Sequence, residues 1–345
     1  MIGSLHQHIL RNRGFAGAVV LFALLFITYQ IMHPRGFSSA VMIQNANESV
    51  AIAFVAMAQT IPVLMGGLDL SVGAVMTLTN CIASIVVTGT PMQVLLGMGL
   101  TLFCGTAFGL MNGLIVVYGR IQPIIATLAT GAIALGLALA IRPSPGGDID
   151  ADLNWALTNA VWDLVDTFGG NPDAGWLAPF ANIPVPWIIL IMLGVCVWLP
   201  FKRTVTGRTI YAVGSSESAA YMSGLPVARA KIAAFTLAGF FASCAGLYLA
   251  IQTSSGNADV AQAGAYTLNS IAAVVLGGTS LMGGIGGAVA SIVGALILRT
   301  LSFYFRILSI DPLLQPLIEG VVLLMAVSLG ALRTFRVKNK LELFR

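Results

Sequence analysis

The sequence predicts an all-α integral membrane protein with about ten transmembrane helices, some of them broken by glycines, and with both termini in the cytoplasm. Three observations predict this fold. Of the 345 residues, 57% are hydrophobic and 9% are charged, whereas a soluble domain carries about 25% charged residues. The mean hydropathy is +0.92. The apolar residues form runs of about 20, the length that a helix needs to cross a bilayer.

Ten apolar runs are long enough to be spans. In chain order they cover residues 15–32, 48–65, 71–88, 93–118, 121–141, 185–201, 229–252, 267–282, 286–304 and 314–332. Two glycine-broken regions leave the count open by one. The first run is longer than a signal-peptide core and lacks a clear cleavage site, so we expect it to be the first span of the mature protein.

The positive charges predict the orientation. Of the 17 Lys and Arg residues, 13 fall in four groups that ten spans place in the cytoplasm when the N-terminus is inside, as the positive-inside rule requires. The groups are Arg11 and Arg13; Arg120; Lys202, Arg203, Arg208, Arg229 and Lys231; and Arg333, Arg336, Lys338, Lys340 and Arg345. The net charge of +4 is therefore a topology signal. No nucleic-acid partner is expected.

A single membrane domain, residues 15–332, is expected between a cytoplasmic N-terminus (1–14) and a cytoplasmic C-terminus (333–345). Its extracytoplasmic loop, 144–184, contains six aspartates and no Lys or Arg. Apolar residues at helical spacing over 153–168 predict one helix at the outer interface. Its tryptophans, together with Trp176, would lie among the lipid headgroups. The loop is either simply solvated or a docking surface for an extracytoplasmic partner.

The cytoplasmic loop 202–228 contains a short helix that is bracketed by sequence signals. Ser215 or Ser216 is a suitable N-cap, and Gly224 followed by Pro226 prevents continuation. The predicted helix, 217–223, is too short to be stable alone in water, so it must pack on something. Its apolar side chains suit the groove of another protein. The alternative is a connector that lies on its own membrane domain.

The segment GGLDLSVGA, residues 66–74, places Asp69, Ser71 and three glycines between two apolar runs. A charge near the bilayer centre costs about 2.5–3.5 kcal/mol, and non-helical backbone persists there only when protein or a polar cavity surrounds it. The segment therefore suggests a path for a polar solute. A weak echo of residues 64–70 at 275–281 is typical of a transport site between two halves, although glycine pairs also serve close helix packing.

Several functions are disfavoured. The four cysteines lie far apart in apolar runs, which predicts neither a metal site nor a disulfide. No phosphate-binding loop of the G-x-x-x-x-G-K-[ST] type occurs, so we expect no enzyme, no catalytic residue and no cofactor bound by this chain. An ion-coupled secondary transporter of a small polar solute is one alternative for the path that the 66–74 segment suggests. A proton relay needs several intramembrane acids and bases, and the spans offer Asp69, Glu319 and Arg299.

Three stretches carry a family resemblance: GGLDLSVGA (66–74), GRTIYAVGSSESAAYMSGLPV (207–227) and LNSIAAVVLGGTSLMGGIGG (268–287). With them the chain, from about residue 45 to 333, resembles the membrane permease subunits of carbohydrate-importing ABC transporters of the ribose/xylose/arabinose/galactofuranose type. There are two departures. Many members have an acid where this chain has Asn269, and members usually have an Asn near Ser216.

The resemblance implies a complex in the bacterial inner membrane. Two permease subunits, identical or paralogous, would form the pathway. A cytoplasmic ABC ATPase would bind ATP and Mg²⁺, and a periplasmic sugar-binding protein would deliver the solute. The short helix would sit in a groove of the ATPase as a coupling helix. The residues implied in this coupling are Glu217, Ser218, Ala219, Ala220, Tyr221, Met222, Ser223 and Gly224.

A sugar presents hydroxyls and no charge, so its pathway needs scattered hydrogen-bonding groups. The candidates are Gln59, Asp69, Ser71, Asn112, Thr127, Asn269 and Ser270, with Thr60, Asn80 and Thr130 as further polar residues. The alternative for each is a bond to a neighbouring helix; Asp69 in particular suits a cap on the third span. We expect Glu319 to pair with Arg299 or to bond the backbone. Arg35, Arg142 and Arg306 would face outward, toward acids on the binding protein or toward lipid headgroups.

Overall fold

The computed structural model describes residues 13–36, 38–171, 175 and 179–311, and then residues 314, 317, 318, 320, 321, 324, 325 and 328. This part of the chain is helical and contains no β-strand. It also contains a π-helix, Gly194–Trp198, between Leu193 and Leu199. The α-helices up to residue 311 are α1 (Arg13–Met32), α2 (Ser39–Leu64), α3 (Val72–Val86), α4 (Pro91–Tyr118), α5 (Pro123–Ile141), α6 (Ala151–Thr158), α7 (Val161–Thr167), α8 (Val185–Leu193), α9 (Leu199–Arg203), α10 (Val205–Ser215), α11 (Glu217–Met222), α12 (Val227–Thr253), α13 (Val260–Leu276) and α14 (Ala288–Ile307).

Seven stretches of the described chain are long and apolar enough to cross a membrane: α1, α2, α4, α5, the run from α8 to α9, α12 and α14. They correspond to seven of the predicted spans. The predicted spans 71–88 and 267–282 are the shorter helices α3 and α13, of 15 and 17 residues. Each adjoins a glycine-rich segment, as the broken-helix prediction requires. The tenth predicted span, 314–332, and the C-terminus 333–345 lie largely outside the described residues.

Helix α2 is the central element of the bundle. All of its residues from 49 to 64 are buried, and it packs against α12, α13 and α14. Its start was predicted wrongly, because α2 begins at Ser39 and not at residue 48. The additional turns, residues 39–47, contain the polar residues Asn45 and Asn47, at which the apolar pattern stops. Both side chains form tertiary hydrogen bonds: the Tyr29 hydroxyl donates to the Asn45 amide oxygen, and the Asn47 amide donates to the Thr158 carbonyl.

Glycines set the closest helix contacts. A Cβ atom on Gly73 would lie 2.1 Å from the carbonyl oxygen of Ala263, and one on Gly246 would lie 2.3 Å from that of Met76. Helix α3 therefore fits tightly between α13 and α12. This is the packing that small residues permit in membrane bundles.

The bundle has two ends. The α11 end carries α9 to α11, the break between α2 and α3, and the loop 277–287 between α13 and α14. The opposite end carries α6 and α7. The predicted single helix over 153–168 is wrong, because the chain breaks at Asn159 and restarts as α7, where the Asp163 carboxylate accepts the Ala160 N–H at 3.2 Å. Trp155 and Trp162 are 54% and 42% exposed, and Trp176 lies outside the described residues.

Candidate functional site

The break between α2 and α3 forms a buried polar site. Asp69 is 2% exposed. Its Oδ1 atom accepts hydrogen bonds from the Ser71 N–H at 2.8 Å and from the Ser71 hydroxyl at 2.6 Å. The amide of Asn112, from α4, donates to the Ser71 hydroxyl oxygen at 2.8 Å. The hydroxyl of Thr127, from α5, accepts the Leu70 N–H at 2.9 Å. Four of the predicted pathway residues thus meet at the start of α3.

This arrangement gives Asp69 a structural role. Its carboxylate binds the N–H of the residue that precedes α3, so it holds the turn into that helix, close to the capping role that was predicted as the alternative. The same hydrogen-bond chain leaves the Asn112 carbonyl oxygen buried without a partner. A buried unpaired acceptor costs about 1–3 kcal/mol. A hydroxyl-bearing solute is one group that would satisfy it.

The other predicted pathway residues lie on α2 and α13. Gln59 is fully buried near the C-terminal end of α2, and neither atom of its amide has a hydrogen-bond partner among the described residues. Ser270 is fully buried on α13, where its hydroxyl donates to the Thr267 carbonyl at 2.6 Å. Asn269 is half-buried on the same helix. The Thr267 hydroxyl accepts the Gly73 N–H at 3.2 Å, so α13 also contacts the first turn of α3.

We expect Asp69→Ala to lower the yield and the melting temperature of the folded protein, because the substitution leaves two buried donors of Ser71 unpaired, at a cost of about 1–3 kcal/mol each. Asp69→Asn should keep most of the stability, since its amide oxygen can accept the Ser71 N–H. Gel filtration in detergent and thermal unfolding measure both variants. Asp152→Ala, an exposed acid in α6, is the control. Equal stability of the Asp69→Ala variant and the wild type would contradict the structural role.

The predicted coupling helix is confirmed as a helix, to within one residue, as α11. The Ser216 hydroxyl accepts the Ala219 N–H at 3.3 Å, as an N-cap does. Gly224, with φ of +74°, ends the helix in the left-handed region that favours glycine. Glu217 forms an ion pair with Lys231 of α12, with 2.6 Å between the charged atoms.

Helix α11 has a packed face and an exposed face. Ala220 is buried in a small apolar cluster with Val213 and Val227, against which Met65 also packs. Tyr221 and Met222 are 75% and 80% exposed. The packed face confirms that α11 lies on its own membrane domain. The exposed face presents two large apolar side chains, and its fit to the groove of another protein stays a prediction.

At the α11 end the two glycine-rich segments contact each other. The Gly284 N–H donates to the carbonyl oxygen of Leu64, the last residue of α2, at 2.9 Å. The Tyr211 hydroxyl, from α10, donates to the Gly286 carbonyl at 2.9 Å. Burial raises the pKa of Tyr211 to about 12, so this phenol stays a neutral donor. The sequence echo between the two segments therefore has a spatial counterpart.

Sequence reasoning missed a charge cluster at the opposite end. Glu48 of α2 accepts hydrogen bonds from Arg299 and, at 2.6 and 2.8 Å, from Arg306, both on α14. Arg306 is thus not a free outward cation. Among the described residues Arg299 pairs with Glu48, whereas its predicted partner Glu319 lies outside them. Arg142 is also engaged, since its guanidinium donates to the hydroxyl and the carbonyl of Ser84 at 3.1 Å. The usable signal was the rule that charges within spans are paired.

An open cleft of about 470 Å³ adjoins Glu48. Four carboxamides, those of Gln44, Asn47, Asn159 and Gln252, line it together with the Glu48 carboxylate. Carboxamides both donate and accept hydrogen bonds, as hydroxyl groups do. Among the described residues, no group of three or more His, Cys, Asp or Glu side chains could hold a metal ion.

Long apolar helices, two of them adjoining glycine-rich segments, define a multi-pass membrane protein. The chain belongs to a family of transport permeases, because the family model described as "Branched-chain amino acid transport system / permease component" matches residues 41–327. The members of this family are transport components rather than enzymes. The resemblance predicted from the three motifs is confirmed.

Individual relatives match along almost the whole chain. The ribose import permease protein of Haemophilus influenzae is 34% identical over 325 residues, which cover 93% of each chain. The ribose import permease protein of Bacillus subtilis is 34% identical, with 89% of each chain covered. The L-arabinose transport system permease protein of Escherichia coli is 32% identical, covering 90% of this chain and 88% of that protein. No solved structure matches the chain.

Proposed function

We propose that this protein is the membrane permease subunit of an ATP-driven ABC importer, and that it carries a monosaccharide or related polyol. The observation that carries the proposal is α11, a capped helix that presents Tyr221 and Met222 at one end of the bundle. The chain has no phosphate-binding loop of its own. An exposed apolar helix at this point is where a separate ATPase, binding ATP and Mg²⁺, would deliver mechanical work.

The chemistry of the buried site favours a neutral hydroxylated solute. The family description names branched-chain amino acids, whose carboxylate would need a cationic partner. The groups around the break between α2 and α3 are instead the Asp69 carboxylate, the hydroxyls of Ser71 and Thr127, and the Asn112 amide. The amide-lined cleft beside Glu48 has the same character. Relatives named for ribose and arabinose agree with this choice.

In the proposed topology the chain crosses the bacterial inner membrane ten times, with the α11 end and both termini in the cytoplasm. The basic residues 202, 203, 208, 229 and 231 lie at the α11 end, and the aspartates 148, 150, 152, 163 and 166 lie at the opposite end, as the positive-inside rule requires. A periplasmic binding protein would then dock over α6 and α7. A second permease subunit, identical or paralogous, would complete the pathway.

The proposed cycle follows from this topology. The loaded binding protein docks, ATP closes the ATPase dimer, and α11 transmits the closure to the bundle. The solute then meets scattered hydrogen-bonding groups that bind it weakly, so that it can leave on the other side. Hydrolysis resets the complex. Ion coupling is the alternative, but of the described charges within the bundle Glu48 is already paired with two arginines, and Asp69 is bonded to Ser71.

Uptake by whole cells tests the solute class. We expect deletion of this gene to abolish accumulation of at least one radiolabelled sugar among ribose, arabinose and fructose, and a plasmid copy to restore it. Uptake of leucine by the same cells is the control and should be unchanged. Loss of leucine uptake, with sugar uptake intact, would contradict the sugar assignment and would favour the amino-acid reading of the family.

A further inference from the structure

Helix α11 does not contact the buried polar site around Asp69 directly. It follows α10 directly in the chain, and α10 buries Ile210 and Val213 in the bundle. Ser216 joins the two helices, and its N–H donates to the Ala212 carbonyl of α10 at 3.0 Å. A force on α11 therefore moves α10. The residues that α10 contacts are therefore the ones to which this movement is transmitted.

Gly214 of α10 lies against the hydrogen bond that joins the two glycine-rich segments. A Cβ atom at this position would be 1.9 Å from the Leu64 carbonyl oxygen and 2.5 Å from the Gly284 nitrogen. These two atoms are the acceptor and the donor of the 2.9 Å bond between α2 and the 277–287 loop. Because Gly214 has no side chain, the backbone of α10 can pack directly against these two atoms.

The contact continues into the break that carries Asp69. A Cβ atom on Gly283, whose φ is +84°, would lie 2.8 Å from both the Gly214 Cα atom and the Gly66 nitrogen. Three separate parts of the chain thus meet at van der Waals distance. Asp69 is the third residue after Gly66 in the chain. The junction consequently connects the coupling segment to the buried site without any intervening side chain.

A second contact keeps α10 in register with the loop. Tyr211 lies one turn before Gly214 on α10, and its hydroxyl donates to the Gly286 carbonyl. The ring of Trp198, at the end of the π-helix, packs beside Gly287. Because Tyr211 and Gly214 are three residues apart, they share one helix face. That face of α10 holds the loop at two points.

We propose that Gly214 is the positioning residue through which movement of α11 reaches both glycine-rich segments; this role rests on the proposed function. The junction works because its three backbones touch directly, so a displacement of α10 shifts the end of α2 and the 277–287 loop together. A methyl group at position 214 separates them. The variant then still presents the exposed face of α11 to the ATPase, but the bundle no longer follows.

The test is Gly214→Ala in the complete complex, reconstituted in proteoliposomes with its ATPase and binding protein. We expect the ATPase to co-purify in the wild-type amount, while the stimulation of ATP hydrolysis by sugar-loaded binding protein falls about tenfold. Gly99→Ala is the matched control, because Gly99 is also a helical glycine but faces open space. Wild-type stimulation in the Gly214→Ala complex, or loss of the ATPase from it, overturns the proposal.

The same experiment distinguishes failure of this inference from failure of the proposed function. If the wild-type complex shows no sugar-dependent ATP hydrolysis, the proposed function fails; if the wild type is stimulated and Gly214→Ala is equally stimulated, the inference alone fails. Should Gly214→Ala not fold, hydrogen exchange of the wild-type complex decides. Exchange in peptides covering 64–71 and 280–287 should change together between the nucleotide-free and ATP-trapped states. Unchanged exchange in both peptides overturns the proposal.

Discussion

The double substitution Tyr221→Asp, Met222→Asp should reduce ATP-driven sugar uptake by about tenfold or more, because truncating a buried interface anchor costs about 2 kcal/mol or more. The two side chains are 75% and 80% exposed in the isolated chain, so the proposed ATPase groove is what covers them. Aspartate removes the apolar contact and adds two charges that lose their hydration on binding. The packed face of α11, with Ala220 in its apolar cluster, is unchanged.

Sugar-stimulated ATP hydrolysis by the reconstituted complex measures this effect, and co-purification of the ATPase shows whether contact is lost. Tyr118→Asp is the matched control, since Tyr118 is 74% exposed at the C-terminal end of α4 and receives the same change. An unaltered melting temperature of the purified double variant shows that the permease itself is folded. If the double variant showed sugar-stimulated ATP hydrolysis at the wild-type rate, this would contradict the assignment of α11 as the coupling helix.

The second large effect concerns Glu48. We expect Glu48→Gln to destabilise the folded protein by about 3 kcal/mol, the lower end of the range for breaking a buried ion pair, because one of its two arginine partners is half exposed. The side chains of Arg299 and Arg306 are 26% and 54% exposed. Loss of the carboxylate leaves the Arg299 charge without its counter-ion on α14, inside a predicted span.

Thermal unfolding of the detergent-purified protein, followed by a thiol-reactive dye, measures this loss. The buried cysteines 81 and 244 report the opening of the bundle. Asp152→Asn is the control, because it removes one exposed carboxylate from α6 at the same end of the bundle. A melting temperature equal to that of the wild type would show that the cluster contributes nothing to holding α2 against α14.

Local signals in the sequence explain what could be predicted. Long apolar runs identify the helices, since an α-helix satisfies all of its backbone hydrogen bonds within one continuous segment. The bounds of α11 were predicted to within one residue, because Ser216 and Gly224 act on adjacent backbone groups and need no distant partner. The acid and the hydroxyl of the 66–74 segment were likewise visible as a polar interruption of two apolar runs.

Tertiary contacts explain what could not be predicted. The pairing of Glu48 with Arg299 joins residues 251 positions apart. The turns of α2 that precede Glu48 contain Asn47, whose amide oxygen accepts a hydrogen bond from the Tyr248 hydroxyl, 201 positions away, at 2.6 Å. At the break between α6 and α7, the Asn47 amide, 111 positions away, donates to the Thr158 carbonyl at 2.6 Å. The contact between Gly214 and Leu64 is equally remote in sequence. No local pattern contains such pairs.

The most direct measurement is solute accumulation in proteoliposomes that contain the permease, its ATPase and its binding protein, supplied with either ATP or an ion gradient. Concentration of the labelled sugar should require ATP and all three components, and should stop when ATP is replaced by a non-hydrolysable analogue. If vesicles that contain this chain alone accumulated the sugar with a proton or sodium gradient and without ATP, this would contradict the claim that a separate ATPase supplies the energy for transport.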